Sequence, residues 1–147
     1  MSKVMVIYHS GKGNTKALAE LVAEGAGAVA GVEVEMVPAG GVDVDAAAGA
    51  DGLAIGSPDY FSYVAGEIKA FYDKILYDDR FNDKPYVGFG THGGGAKVLG
   101  VLEDLAGRCK LKQVAPGVLT KGKPGEEDTG KARALGEALA EAVRGPG

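Results

Sequence analysis

The chain has 147 residues, 46% of them hydrophobic and 24% charged, enough for one domain (1–147) with a substantial core. Its 16 basic and 20 acidic residues leave a net charge of −4, which argues against wholesale binding to nucleic acid or an anionic membrane. One cysteine, Cys109, excludes an intrachain disulfide or a thiolate metal site, and no apolar stretch reaches membrane-spanning length.

Residues 3–8 read as a buried strand, because Val4 to Tyr8 is a continuous apolar run. No leader-type segment precedes it, so a cytoplasmic protein is expected. From Thr15 to about Val29 the spacing turns helical, with Leu18, Leu21, Val22 and Ala26 on one face. Residues 32–38 alternate between apolar and acidic and end at Pro38, as an edge strand would. A short helix is expected at Val44–Ala50, then a second buried strand at Gly52–Gly56. The spacing predicts a helix over Val64–Tyr77, with Ile68, Phe71, Tyr72, Ile75 and Leu76 inward. A charged turn at 78–84 precedes the strand Tyr86–Gly90, and a helix follows near Ala96–Ala106. Residues 111–119 form a weaker edge strand, broken near Pro116-Gly117. A last helix is predicted over about Thr129–Arg144, followed by a tail at 145–147.

Five strands alternate with five helical segments. That order favours an α/β fold, an open parallel sheet with helices on both faces. The three apolar strands belong in the middle and the two compromised ones at the edges. Strand order 2-1-3-4-5 satisfies this, the flavodoxin-like doubly wound arrangement. Ligands in such a sheet bind beyond the carboxyl ends of the strands where the order reverses. Three loops meet there, 9–15, 56–63 and 90–95. They are also the chain's most unusual loops, and many of its 25 glycines fall in loops.

The first loop, Tyr8-His9-Ser10-Gly11-Lys12-Gly13-Asn14-Thr15, joins a strand to a helix through glycines. That geometry presents backbone N–H groups and a positive helix end to an anion, with hydroxyls at Ser10 and Thr15 as further donors. Lys12 is either a charged partner for a phosphate or a solvated surface lysine. Other phosphate motifs fail. Asn14 stands where a Walker-type loop needs lysine. Lys16 and Val98 occupy the third small position of the two possible dinucleotide fingerprints. A receiver domain needs an acidic pair where His9-Ser10 stands.

The second loop, Ser57-Pro58-Asp59-Tyr60-Phe61-Ser62-Tyr63, offers aromatics where a flat ligand needs a wall, Tyr60 or Phe61 being the best placed. Asp59 reads as a turn former rather than an acid catalyst. The third, Thr91-His92-Gly93-Gly94-Gly95, offers unhindered N–H groups. His92 is either a ligand contact able to supply a proton or an ordinary loop histidine. His9 carries no assigned chemistry. Phe61, Tyr63 and Phe81 are candidates for an apolar docking rim.

The first loop resembles the phosphate loop of flavodoxins, usually Thr/Ser-x-Thr-Gly-x-Thr. Ser10, Gly13 and Thr15 match it, and Lys12 replaces the middle threonine. The resemblance extends over the whole chain in length and element order. It implies non-covalent FMN, with the phosphate held at 10–15 and the isoalloxazine between 57–63 and 91–95. It implies no metal.

Two functions remain open. Carrier flavodoxins usually place a glycine in the middle loop, where a peptide flip stabilises the one-electron semiquinone, but residues 57–63 contain none. Pro58-Asp59-Tyr60-Phe61, the helix start Ala65–Phe71 and His92-Gly93-Gly94 resemble NAD(P)H:quinone oxidoreductases of the Trp-repressor-binding-protein type. Those enzymes are longer, with insertions this chain lacks. The reading ranked first is therefore a short electron carrier between redox partner proteins. The second is a flavin reductase passing hydride from NAD(P)H to a quinone-like acceptor.

Overall fold

Val4, Met5, Val6 and Ile7 are wholly buried or nearly so, because β1 (Ser2–Tyr8) has a strand on each side and helices on both faces. The computed structural model describes residues 1–145; of the expected tail, the last two residues lie outside that range. After β1 come α1 (Asn14–Gly27), β2 (Val32–Pro38), α2 (Val44–Gly49), β3 (Gly52–Pro58) and α3 (Gly66–Ile75). Then follow β4 (Pro85–His92), α4 (Val98–Arg108), β5 (Lys112–Gln113), β6 (Val118–Lys121) and α5 (Glu126–Val143). Single 3-10 turns stand at Ala39–Gly41 and Asp79–Phe81.

All pairings are parallel, in the order β2-β1-β3-β4-β5. The central places go to β1, β3 and β4, the three continuous apolar runs, since a strand buried on both faces has no polar side to show. On one face Val4, Val6, Ala54, Val87 and Phe89 meet Leu18, Val22, Leu135 and Leu139 from α1 and α5. On the other, Met5, Ile7, Leu53, Ile55 and Tyr86 meet Ile68, Phe71, Tyr72 and Leu102 from α3 and α4.

The far edge differs from a single strand over 111–119. It consists of two segments, β5 and β6, each paired with β4. Val114 still donates to Tyr86 O (3.0 Å), but Pro116 has no N–H to continue the ladder. Pairing resumes at Val118 and runs to Lys121 opposite His92, so this edge reaches two residues beyond the expected end. Phe81, a candidate for the docking rim, is fully buried.

The hydroxyls of Tyr72 and Tyr86 are buried close to one another, and burial pushes both phenols above their ordinary value. In the unfolded chain they lose their protons near pH 10. The folded chain keeps them, so above that pH the unfolded state binds fewer protons and gains. Stability should fall by up to about 1.4 kcal/mol per pH unit per tyrosine above roughly pH 10. Urea midpoints taken on either side of that pH measure the slope. The double variant Tyr72→Phe/Tyr86→Phe should flatten it.

Candidate functional site

At the carboxyl ends of β1, β3 and β4 the chain leaves a cleft of about 210 Å³. It is lined by Ser10, Gly11, Lys12, Asn14 and Thr15 of the first loop, Pro58, Asp59 and Tyr60 of the second, and Thr91, His92 and Gly93 of the third. Of the other residues singled out from the sequence, Gly13, Ser57, Phe61, Gly94 and Gly95 stand outside the lining. Gly122, at the tip of β6, lines it too.

The first loop is built around Ser10. Its Oγ accepts from the N–H of Gly13 (3.0 Å) and of Lys16 (3.3 Å), which folds the turn back onto the start of α1. Gly13 precedes that helix at φ 96°, a conformation costing an L-residue about 1–2 kcal/mol. The N–H groups of Gly11, Lys12, Asn14 and Thr15 meet no acceptor among the described residues. They surround the positive end of α1. Thr15 Oγ1 and Thr91 Oγ1 are hydrogen-bonded at 2.8 Å in a buried contact, fixing the first loop to the third.

The second loop closes at its base through Ser57, whose Oγ accepts from Ala65 N (2.9 Å) and donates to Pro58 O (2.8 Å). Its tip is a two-residue turn. Tyr60 and Tyr63 exchange backbone bonds at 2.9 and 3.0 Å, while Phe61 and Ser62 take φ of 57° and 63°. Such turns normally carry asparagine or glycine, and each strained residue costs about 1–3 kcal/mol. Asp59 holds the turn, its Oδ1 accepting from Ser62 N at 2.9 Å. Its Oδ2 accepts from Lys97 N (2.7 Å) and Val98 N (3.0 Å), the first donors of α4, whose own cap residue supplies no side-chain bond. One carboxylate thus ties the second loop to the third and neutralises a helix end.

Tyr60 lies across the cleft with its hydroxyl against Gly11, where any Cβ would collide. His9 meets the Tyr60 ring edge-on (5.9 Å between centroids, 78°), and its Nδ1 lies 3.4 Å from Glu67 Oε2. His92 is half-buried, with Nδ1 buried and unpartnered.

This donor set fits a flavin mononucleotide. Free N–H groups at a helix start suit its phosphate, and an aromatic wall facing a glycine-rich loop suits its ring. Among the described residues no cluster of His, Cys, Asp or Glu could hold a metal.

Two contributors were not legible in the sequence. Gly122 joins the cleft because the last strand runs on to Lys121, and its N–H donates to His92 O at 2.9 Å. The parallel topology, which brings every strand tip to one edge, was the available signal. His9 supports Tyr60 through an edge contact between neighbouring loops, for which a single sequence carries no signal.

Known proteins share this design. The flavodoxin family model matches residues 6–136. A flavodoxin of Aquifex aeolicus is 34% identical over 97% of this chain and 88% of its own length. A solved flavodoxin structure from the domain Archaea superposes with a TM-score of 0.90 at 25% identity, covering 97% of this chain and 99% of that one. An NAD(P)H dehydrogenase (quinone) of Cupriavidus metallidurans is 36% identical over half of this chain and 47% of its own. The chain belongs to the flavodoxin family, whose members bind FMN and transfer electrons.

Proposed function

We propose that the protein is an electron carrier whose FMN sits in this cleft, serving redox partner proteins in the cytoplasm. The observation that carries the reading is the convergence of three strand tips on one cleft, with the Thr15–Thr91 bond locking the anion-binding loop to the ring-side loop. The N–H groups of Gly11, Lys12, Asn14 and Thr15 would hold the phosphate, with the Ser10 hydroxyl proton beside them. Tyr60 and the 91–95 loop would flank the ring. When bound, FMN supplies the electron-accepting centre. The protein's part is to position it, exclude water from its inner face, and supply donors at its polar edge through Gly93 N–H and His92.

Similarity over nearly the full length to a flavodoxin, against half-length similarity to a quinone dehydrogenase, favours the carrier over the reductase. Titration of FMN with the protein, followed by fluorescence quenching, tests the cofactor site. One-to-one quenching is expected, and undiminished fluorescence defeats the reading. Reductive titration beside an NAD(P)H-oxidation assay tests the rest. Rapid nicotinamide turnover on a quinone would replace the carrier with the enzyme.

Lys12 is exposed, so its charge should contribute only about 0.5–1 kcal/mol to phosphate binding, a several-fold effect on Kd. Lys12→Ala is expected to weaken FMN binding by that amount at low salt and by less as salt rises. Equal affinity across a salt series would show that Lys12 takes no part.

A further inference from the structure

The rim of the cleft has a charge opposite to that of the molecule. The four loops that meet there carry Lys12, Lys97, Lys121 and Lys123, all exposed and none within ion-pair distance of a carboxylate among the described residues. They carry one carboxylate, Asp59, whose two oxygens are taken by backbone N–H groups. Other acids flank these loops in the chain, and of these Glu126 and Glu127 are exposed and without an ion-pair partner among the described residues. Glu67 faces His9, while Glu126, Glu127 and Asp128 form the first turn of α5, where Asp128 caps Gly125 N. With four lysines against Asp59 these loops carry +3, so the remaining residues carry −7 of the overall −4.

At the lip of the same cleft, Phe61 is 102% exposed. It stands at the tip of the strained turn, where Asp59 and the Tyr60–Tyr63 bonds fix its backbone. Tyr60 and Tyr63 flank it at 39% and 41% exposure. An exposed aromatic on a fixed turn, among loops with an excess of one sign of charge, is the anatomy of a protein-docking face.

We infer that this face docks a partner protein of acidic surface, with Phe61 entering an apolar depression and Lys97, Lys121 and Lys123 facing carboxylates. The inference rests on the electron-carrier reading and names the chemistry of the carrier's partner. A small phosphorylated ligand would satisfy the lysines but would leave Phe61 without a role.

Two redox proteins of opposite charge serve as probes, an acidic two-iron ferredoxin and basic cytochrome c. Each is titrated into the isotopically labelled protein and read by amide chemical shifts at about 0.02 M and about 0.2 M salt. Ferredoxin should shift the amides of Phe61, Lys97 and Lys121–Lys123 at low salt, with affinity falling at least tenfold at high salt. Phe61→Ala should weaken it about fivefold or more, in the range of an interface anchor. The triple charge reversal Lys97→Glu/Lys121→Glu/Lys123→Glu should transfer preference to cytochrome c. Cytochrome c on the unaltered face, ferredoxin elsewhere, binding indifferent to salt or charge reversal, or no binding of either probe would each overturn the inference. The surface is made of protein side chains, so the titration reads it with or without FMN. Failure to take up FMN defeats the cofactor reading alone.

Discussion

Asp59→Ala should weaken FMN binding by about tenfold or more while the protein stays folded, with stability lowered by about 1–2 kcal/mol. The carboxylate accepts three backbone N–H groups, one in its own turn and two at the start of α4. Its removal leaves two first-turn donors uncapped and withdraws the acceptor that holds Ser62 in a left-handed conformation. The turn then relaxes toward ordinary φ values, carrying Tyr60 away from Gly11. The ring-side loops lose their mutual register, and a ligand bound between them must restore it from its own binding energy. Asp59→Asn separates this account from an acid–base role. The amide keeps one acceptor oxygen and should recover part of the affinity, whereas a proton donor would be lost equally in both variants. Fluorescence quenching gives the FMN affinity and urea unfolding the stability. Full affinity in Asp59→Ala would show that the two loops are positioned without it.

The same residue marks the boundary of what a sequence reveals. The central strands were legible because burial on both faces leaves only one kind of residue in them, as Val4–Tyr8 and Tyr86–Gly90 show. The edge strand 32–38 was legible from its alternation, and the turn between β1 and α1 from its glycines. These signals are local, each contained in one window of the chain. Asp59 as a bridge between loops, His9 against Tyr60 and Gly122 in the cleft arise between segments far apart in sequence. Tyr60 and Phe61 are adjacent and chemically alike, yet one lines the cleft and the other stands in solvent. What separates them is a turn with two left-handed residues that no propensity scale assigns to Phe-Ser. Phe81 shows the converse, an aromatic in a charged turn that folds inward and is fully buried.

Glycine carries the second large effect, and in helices rather than loops. Gly25 of α1 and Gly136 of α5 lie where these two helices cross in close contact. A Cβ at Gly136 would overlap Val22 O and crowd Ala26 N, and one at Gly25 would overlap Arg133 O. Backbone cannot step aside as a flexible side chain does. Gly136→Ala should therefore force the helices apart and cost about 3 kcal/mol, near the upper end for overpacking. That corresponds to a fall in Tm of roughly 6–12 °C for a chain of this size. The same exchange at Gly130, also in α5 but with nothing within 4 Å of a new Cβ, should stabilise by up to about 1 kcal/mol. The opposite signs within one helix distinguish packing from propensity. Gly25→Ala should resemble Gly136→Ala, and the double variant should cost less than the two together, since helices already separated accept the second methyl group more easily. Thermal unfolding of the four variants decides the matter. Additive losses would mean that each glycine relieves its own local clash, and neutral substitutions would mean that α1 and α5 can slide apart without loss of the core they share with β1 and β4.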